Sequence, residues 1–225
     1  MSPSSHEPRS TLGPGPRTKV RRLPERGRYD SETVHAILDE GWVCHLAVSS
    51  EDRATILPTV YARSGDVLYM HGAPANNALR SAEVASEACV TVTLVDAIVV
   101  ARSAFHHSVN YRSVVAYGPA SQVSDPDEKE AALLAIVEHV LPGRAGDTRP
   151  PSPEELRATR VTKFVITEAS AKVRTGGPND EPEDLGLEEV WAGQLPLNVV
   201  PGVPVAETGV LAPVPAYVED YRRKR

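Results

Sequence analysis

The sequence predicts a mainly β protein with flanking helices, of the α+β class. At least six short stretches are rich in β-branched residues, and most are separated by only a few turn-forming residues. Helical periodicity is confined to a few short segments between them. Closely spaced strands without a helix between each pair favour a barrel or sandwich over alternating β–α units.

Length and composition indicate one folded domain. The chain has 225 residues, of which 41% are hydrophobic and 24% charged, enough for one adequate core. We predict this domain at 29–195, between a flexible basic arm at 1–28 and a proline-rich extension at 196–225. The arm has scattered charges without interleaved aromatic residues, which favours a solvated tail over a nucleic-acid contact. The extension either wraps across a partner subunit or is loose.

Charge and cysteine content exclude several classes of function. A net charge of −6 and a pI near 5.7 argue against a nucleic-acid or membrane partner. Cys44 and Cys89 form no Cys-x-x-Cys pair, which disfavours a disulfide scaffold or a zinc site, and we predict no metal site. No apolar run approaches the roughly 20 residues of a membrane span, and no export signal is evident. We expect a cytoplasmic protein.

The first predicted elements are a helix and two strands. The helix starts after Asp30, an N-cap residue, and ends at Gly41, expected as a C′ glycine. Strands follow at 42–48 and 54–62. Pro58 interrupts the second strand. Since proline cannot donate to a ladder, it indicates an edge, a bulge or a place where a ligand meets the backbone.

A candidate phosphate site follows the third predicted strand, at 67–71. That strand leads through His71 and Gly72 into a short helix that contains Arg80. A strand, a glycine turn and a helix start can direct backbone amides at an anion, and Arg80 adds a cation one turn later. The alternative is an ordinary strand-to-helix connection with a solvated arginine.

The middle of the chain is predicted as three strands. The first two, at 89–95 and 98–102, are joined by a tight turn at 96–97. The third continues from 105 to 117 and holds an unusual number of polar side chains, which favours a ligand site or subunit contact on one face. A solvated surface strand is the alternative. In a strand His106 and His107 point to opposite faces, so they cannot chelate one metal together.

The last third of the chain adds two helices and a strand. The helices start at Asp125 and Ser152, N-cap residues that are each followed by proline and by an acid at the third helical position. We predict the last barrel strand at 161–167 and an acidic loop at 176–186. Trp191 then supplies a bulky anchor.

Short motifs between residues 21 and 197 form a recognisable set: Glu25-Arg26, Tyr29-Asp30, His71-Gly72, Asp96, Ser-Val-Asn-Tyr-Arg-Ser-Val-Val at 108–115, Tyr117-Gly118, Pro142-Gly143-Arg144, Lys172-Val173-Arg174 and Trp191-Ala192-Gly193. This set resembles the pyridoxamine 5′-phosphate oxidase-related flavin-binding proteins. Within them it is most similar to the flavin-nucleotide-binding and nitroimidazole-resistance (Nim-like) branch.

The resemblance implies a split β-barrel that forms a homodimer and holds FMN at the subunit interface. It places the FMN phosphate near Gly72 and Arg80, although Ala73 stands where the family often has a small hydroxyl residue. It also implies three further groups of contacts. These are Leu57, Pro58, Thr59 and Val60 at the ring edge, Tyr111, Arg112 and Ser113 at the cofactor or the interface, and Trp191 closing the site. For Trp191 a core or interface anchor is the alternative.

Three functional hypotheses follow. The first is an FMN-dependent oxidoreductase that passes electrons from NAD(P)H to a small oxidant such as a nitro compound or quinone, with His71 beside the flavin as the catalytic proton donor. For His71 the alternative is a hydrogen-bonded structural residue. The second is a protein that binds flavin without turnover. The third is a haem-binding or deazaflavin (F420)-binding relative, in which His106 or His107 is an axial ligand.

Overall fold

A bent antiparallel sheet organises the protein, whose computed structural model describes residues 11–50 and 53–222. The strand order is β1-β9-β6-β5-β2-β3-β4-β8-β7, and β10 pairs with β5. The ten strands of the described residues are β1 (Gly27–Arg28), β2 (Val43–Ser50), β3 (Arg53–Ser64), β4 (Val67–Gly72), β5 (Ala88–Val100), β6 (Ser108–Gly118), β7 (Ala120–Gln122), β8 (Arg160–Val165), β9 (Glu168–Arg174) and β10 (Gly193–Pro196). The predicted mainly β class is confirmed.

Five α-helices of the described residues flank the sheet: α1 (Ser31–Glu40), α2 (Asn77–Val84), α3 (Pro126–Val140), α4 (Pro153–Ala158) and α5 (Ala216–Glu219). The predicted N-caps are confirmed, since Asp30, Asp125 and Ser152 each accept a hydrogen bond from a backbone N–H inside their helix. Among these described helices, each one is too short or too polar to cross a bilayer.

Gly41 corrects one expectation about a helix end. Its φ is −74°, which is extended backbone and not the left-handed conformation of a C′ glycine. A Cβ at this position would lie 2.6 Å from Cγ1 of Val92 and 2.9 Å from Oη of Tyr61. Gly41 is therefore required by the close packing of α1 on the sheet.

The sheet closes into a barrel where the segment formed by β6 and β7 crosses the segment formed by β8 and β9. The chain passes from β6 to β7 at Gly118, and from β8 to β9 just beyond Val165. A Cβ on Gly118 would lie 1.8 Å from the carbonyl oxygen of Val165, so this crossing requires glycine. Thr167 N donates to Tyr117 O across it at 2.9 Å. Inside the barrel, α1 buries Val34 against core residues from both halves of the sheet.

Three strand predictions are corrected. The pair 89–95 and 98–102 is one strand, β5, because Ala97 does not reverse the chain. A register shift between Val95 and Ala97 leaves Asp96 in a bulge, and both halves of β5 pair with β6. β6 starts only at Ser108, so His106 and His107 lie in and beside a 3₁₀ turn (Ala104–His106). The sequence reading also missed β9 and β10.

The two ends of the chain differ in their packing, since the N-terminal arm contacts the barrel whereas residues 197–214 are exposed. Residues 1–10 and 223–225 lie outside the described residues. From Thr11 onward the arm follows the barrel, where Leu12 is buried in the core and β1 pairs with β9. After β10 the chain runs without a strand until α5, where Tyr217 Oη donates to Asp147 Oδ2 at 2.6 Å.

Candidate functional site

The predicted site lies where β3 and β4 separate, which we call the fork. β3 pairs with β2 from Arg53 to Val60 and with β4 only from Tyr61 onward. Tyr61 stands opposite Met70, so the next residues of β4, His71 and Gly72, are the first to lose β3 as a neighbour. Beyond this point alternate backbone groups of β3 face no strand among the described residues. Pro58 lies on this open edge, in agreement with the first of its three predicted interpretations, a strand edge.

His71 presents a neutral imidazole at the fork. It is half-buried, and desolvation lowers its pKa below the ordinary value. Its Nδ1 is buried without a hydrogen-bond partner among the described residues. Nε2 has no such partner either, but it is not buried. A neutral ring with an accessible nitrogen can bind a ligand atom or accept a proton.

The turn after His71 folds tightly against α2. Asn76 caps α2 by accepting a hydrogen bond from Leu79 N at 3.1 Å, and a Cβ on Gly72 would touch Asn76 Nδ2 at 3.1 Å. Arg80 lies one turn into α2. Its side chain is exposed and makes no ion pair with a described residue, so this cation is available to an anionic group.

One face of the sheet beside the fork is uncovered, and we call it the open face. Its strands β3, β2, β5 and β6 turn alternate residues outward, and the pairs His45–Pro58 and His45–Thr91 fix their alignment. Large apolar side chains project from it: Val43, Ile56, Val95, Ile98 and Val109. Ile56 is 64% exposed. Exposed large apolar side chains gathered on one face of a sheet are typical of an interaction site.

The structure brings four of the predicted residues onto the open face: Pro58, Val60, Tyr111 and Ser113. Val60 and Ser113 lie on one row of residues across β3, β2, β5 and β6, about 14 Å apart at the usual strand spacing. Leu57 and Thr59 alternate to the opposite side, where Leu57 packs against the core. They can offer only their backbone to a ligand at the fork.

Arg112 also points away from the open face and is fully engaged within the chain. Its guanidinium makes paired hydrogen bonds to both oxygens of Asp96, at 3.0 and 2.7 Å, and to both oxygens of Glu40. Asp96 and then Glu40 raise the pKa of Arg112 above its ordinary value. This geometry ties the end of α1 to the bulge in β5.

The fork lies away from three further candidates of the same chain: Trp191, His106 and His107. Trp191 is largely exposed just before β10, which pairs with the far half of β5. Measured along β5, β10 lies roughly 20 Å from the row of residues that contains Ser113. His106 Nε2 lies 3.4 Å from Glu181 Oε1, and His107 Nδ1 lies 2.9 Å from Ser103 O. The role of Trp191 at the site stays a prediction.

Sequence reasoning gave no role to Arg174, the last residue of β9. The side chain is buried and lies opposite Tyr111 in the β6–β9 pairing. The motif Lys172-Val173-Arg174 was noticed as a family feature. Its chemistry depends on which groups surround the guanidinium, and no spacing in the sequence reveals that.

The family model described as pyridoxamine 5′-phosphate oxidase matches residues 30–173. The chain belongs to this family. The family recognised from the motifs is therefore confirmed, together with its split-barrel fold. No protein with a curated description matches the chain.

Two solved members of the pyridoxamine 5′-phosphate oxidase fold match almost the whole chain. The flavocytochrome Anf3 from Azotobacter vinelandii is 36% identical, with 92% of this chain and 97% of that chain covered and a TM-score of 0.85. An FAD- and haem-binding protein from Mycobacterium smegmatis is 31% identical, with 87% and 96% covered and a TM-score of 0.81.

A third structure supports the predicted Nim-like likeness at the level of the fold. It is a candidate 5-nitroimidazole antibiotic resistance protein from Bacteroides thetaiotaomicron, 21% identical over 64% of this chain and 84% of that chain, with a TM-score of 0.55. The family resemblance to this branch therefore concerns architecture.

Proposed function

We propose that this protein binds a flavin at the fork, binds haem near it, and works as a redox protein. The observation that carries the proposal is the likeness, over nearly the whole of both chains, to a flavocytochrome. The second full-length relative, described as binding FAD and haem, supports the same pair of cofactors. Haem was one of the alternatives at the sequence level, and these relatives raise it to a part of the main proposal.

The fork fits a flavin. The open edge of β3 offers unpaired backbone donors and acceptors to the polar edge of the ring system, and Pro58 and Val60 offer an apolar wall. Gly72, the start of α2 and Arg80 can hold a phosphate. We predicted FMN, whereas the Mycobacterium smegmatis relative is described with FAD. Both contain the ring and the first phosphate, so the mass of the released cofactor distinguishes them and also tests for F420.

His71 is our candidate for the haem ligand. Its ring is neutral and has an accessible nitrogen, which iron requires. His106 faces a carboxylate, whereas His107 orients Nδ1 on a backbone carbonyl and its Nε2 has no hydrogen bond to a described residue, so His107 is the competing ligand. We expect His71→Ala to abolish the Soret band of haem-reconstituted protein and His107→Ala to retain it. The opposite pattern would assign the iron to His107.

Bound flavin supplies hydride and single-electron transfer, and haem supplies one-electron exchange at iron. The chain positions these groups and excludes water with the apolar residues of the open face. We propose NAD(P)H as the electron donor and a small oxidant as the acceptor. Flavin that binds but is not bleached by anaerobic NADH or NADPH would favour the non-catalytic alternative.

We also propose a homodimer through the open face. Its exposed valines and isoleucines resemble the apolar centre of a subunit interface, and a second copy would complete the walls of the fork. We expect Ile56→Asp to shift the protein to monomer in sedimentation analysis. Leu211→Asp is the control, because Leu211 is more exposed but lies in the C-terminal extension. An Ile56→Asp dimer as tight as wild type would contradict the proposed interface.

The flavin site is tested directly by titration. The apo-protein is titrated with FMN and FAD, and Arg80→Ala is compared with Arg157→Ala, another exposed helical arginine. Loss of one charged phosphate contact weakens binding by roughly 10- to 100-fold. Equal affinity of Arg80→Ala and wild type would remove Arg80 from the phosphate site.

A further inference from the structure

The end of β9 buries a guanidinium without a counter-charge. Arg174 is 5% exposed. It donates only to neutral oxygens: Oδ1 of Asn110, the carbonyl of Gly176 at 3.4 Å and the carbonyl of Gly177 at 3.3 Å. No carboxylate of the described residues forms an ion pair with it. Desolvation accordingly lowers the pKa of Arg174.

A second arginine stands beside it. Gly27 pairs with Lys172, so Arg26, just before β1, reaches the end of β9. The positive charge of Arg26 is the next cause, after desolvation, of the lowered Arg174 pKa. The Arg26 side chain is 24% exposed, and its ion pair with Glu25 is long, at 3.9 Å, and reaches a largely exposed carboxylate. Of these two guanidiniums, only that of Arg26 has an ion pair among the described residues, and this pair is weak.

The rest of the chain shows how unusual this is. Four other arginines of the described residues are partly buried, and each is paired with a carboxylate: Arg63 with Asp39, Arg102 with Asp180, Arg112 with Glu40 and Asp96, and Arg160 with Glu83. Arg174 has no such pair among the described residues, and Arg26 has only the long contact with exposed Glu25. A buried charge is costly unless an opposite charge accompanies it, so the missing charge is expected from a ligand.

We propose that Arg26 and Arg174, with the phenol of Tyr111, bind an oxyanion of a ligand, either a carboxylate or a phosphate. Guanidinium forks match the geometry of both groups. Tyr111 is directly opposite Arg174 in the β6–β9 pairing and is half-buried. The carbonyl contacts of Arg174 are long, which allows an anion to replace them. In the strand order this site lies on the β9 side of β5 and β6, whereas α2 and Arg80 lie on the other side of these two strands.

The first test needs no cofactor. The thermal midpoint of the apo-protein is measured in inorganic phosphate and in chloride at equal ionic strength. Phosphate is expected to raise the wild-type midpoint by a few degrees. Arg174→Met and Arg26→Gln are each expected to lose most of that shift. Arg63→Met, which removes an arginine of similar burial that already has a carboxylate partner, is expected to keep it.

The second test identifies the source of the oxyanion and rests on the proposed function. Arg174→Met and Arg26→Gln are titrated with FMN, riboflavin, haemin and haemin dimethyl ester. Weakening by roughly 10-fold or more for FMN but not riboflavin assigns a flavin phosphate to this site in place of Arg80. The same weakening for haemin but not its ester assigns a haem propionate.

The two proposals fail separately. A wild-type protein that binds neither flavin nor haem would contradict the proposed function, while a phosphate response lost in both variants would still support the site. The site is overturned if both variants respond to phosphate as wild type does and bind all four ligands with wild-type affinity.

Discussion

Arg112 and Arg174 lie on neighbouring strands of one sheet, β6 and β9, and both are largely withdrawn from water, yet their surroundings are opposite. Arg112 lies between two carboxylates, which raise its pKa. Arg174 contacts only neutral oxygens, and burial lowers its pKa. The difference teaches that a buried arginine is not by itself a functional signal. A cluster in which carboxylates neutralise the arginine, such as that of Arg112, stabilises the fold. A buried arginine without a carboxylate partner can bind an anionic ligand.

The largest expected effect comes from breaking the cluster of Arg112. Arg112→Met removes the positive charge that pairs with Glu40, whose side chain is 7% exposed. We expect the free energy of unfolding to fall by about 3–5 kcal/mol in a urea titration. Arg149→Met is the control, because its ion pair with Glu155 is exposed and its loss is not expected to move the midpoint. An Arg112→Met protein as stable as this control would refute the structural role.

A double-mutant cycle sharpens the same point. If the loss in Arg112→Met comes from the uncompensated negative charge of Glu40, then adding Glu40→Gln removes that charge and restores stability. We expect Glu40→Gln with Arg112→Met to be more stable than Arg112→Met alone, with a coupling energy of about 1–3 kcal/mol. Additive losses in the urea titrations would mean that Glu40 and Arg112 are not coupled.

Removing Arg174 is expected to cost less. Its loss strands no carboxylate, and the main penalty is the unsatisfied Oδ1 of Asn110, about 1–2 kcal/mol. Urea unfolding of Arg174→Met in phosphate-free buffer measures it, with Arg63→Met as the paired reference. A loss as large as that of Arg112→Met would erase the distinction between the two clusters.

Local sequence signals predicted the elements whose causes are local. The caps at Asp30, Asp125 and Ser152 and the strand edge at Pro58 belong to this group. The turn at 96–97 was wrong because local residues do not tell a reversal from a bulge, which is decided by pairing of both halves of β5 with β6. β9 was missed because its alanine-rich sequence has low strand propensity and is a strand only through its neighbours.

The candidate site divides in the same way. The motif His71-Gly72 and the interrupted strand at Pro58 located the fork, because proline cannot donate to a strand ladder and Gly72 allows the chain to pass close to Asn76. Arg112 contacts two carboxylates, whereas Arg174 contacts neutral oxygens. This difference depends on which residues the fold brings next to each guanidinium. In the sequence Arg112 lies in a predicted polar strand and Arg174 lies in a motif outside the predicted strands, and neither context reveals the charges around the guanidinium.

The smallest expected effect is a pH dependence at His71, the uncharged counterpart of these two clusters. Burial lowers its pKa below 6.5. At a pH below 6.5 the unfolded chain therefore binds a proton at His71 more readily than the folded chain does. Stability therefore falls as the pH drops below the unfolded pKa. Between about pH 7.5 and pH 5.5 we expect His71→Gln to lose less stability than wild type. Identical slopes of midpoint against pH would contradict this.

The central claim, that the fork and its surroundings hold a flavin and a haem, is tested most directly by the visible absorption spectrum of the freshly purified protein, with the released cofactors identified by mass. We predict flavin bands together with a Soret band. A colourless protein that also takes up no FMN, FAD or haem when these are added would contradict the account.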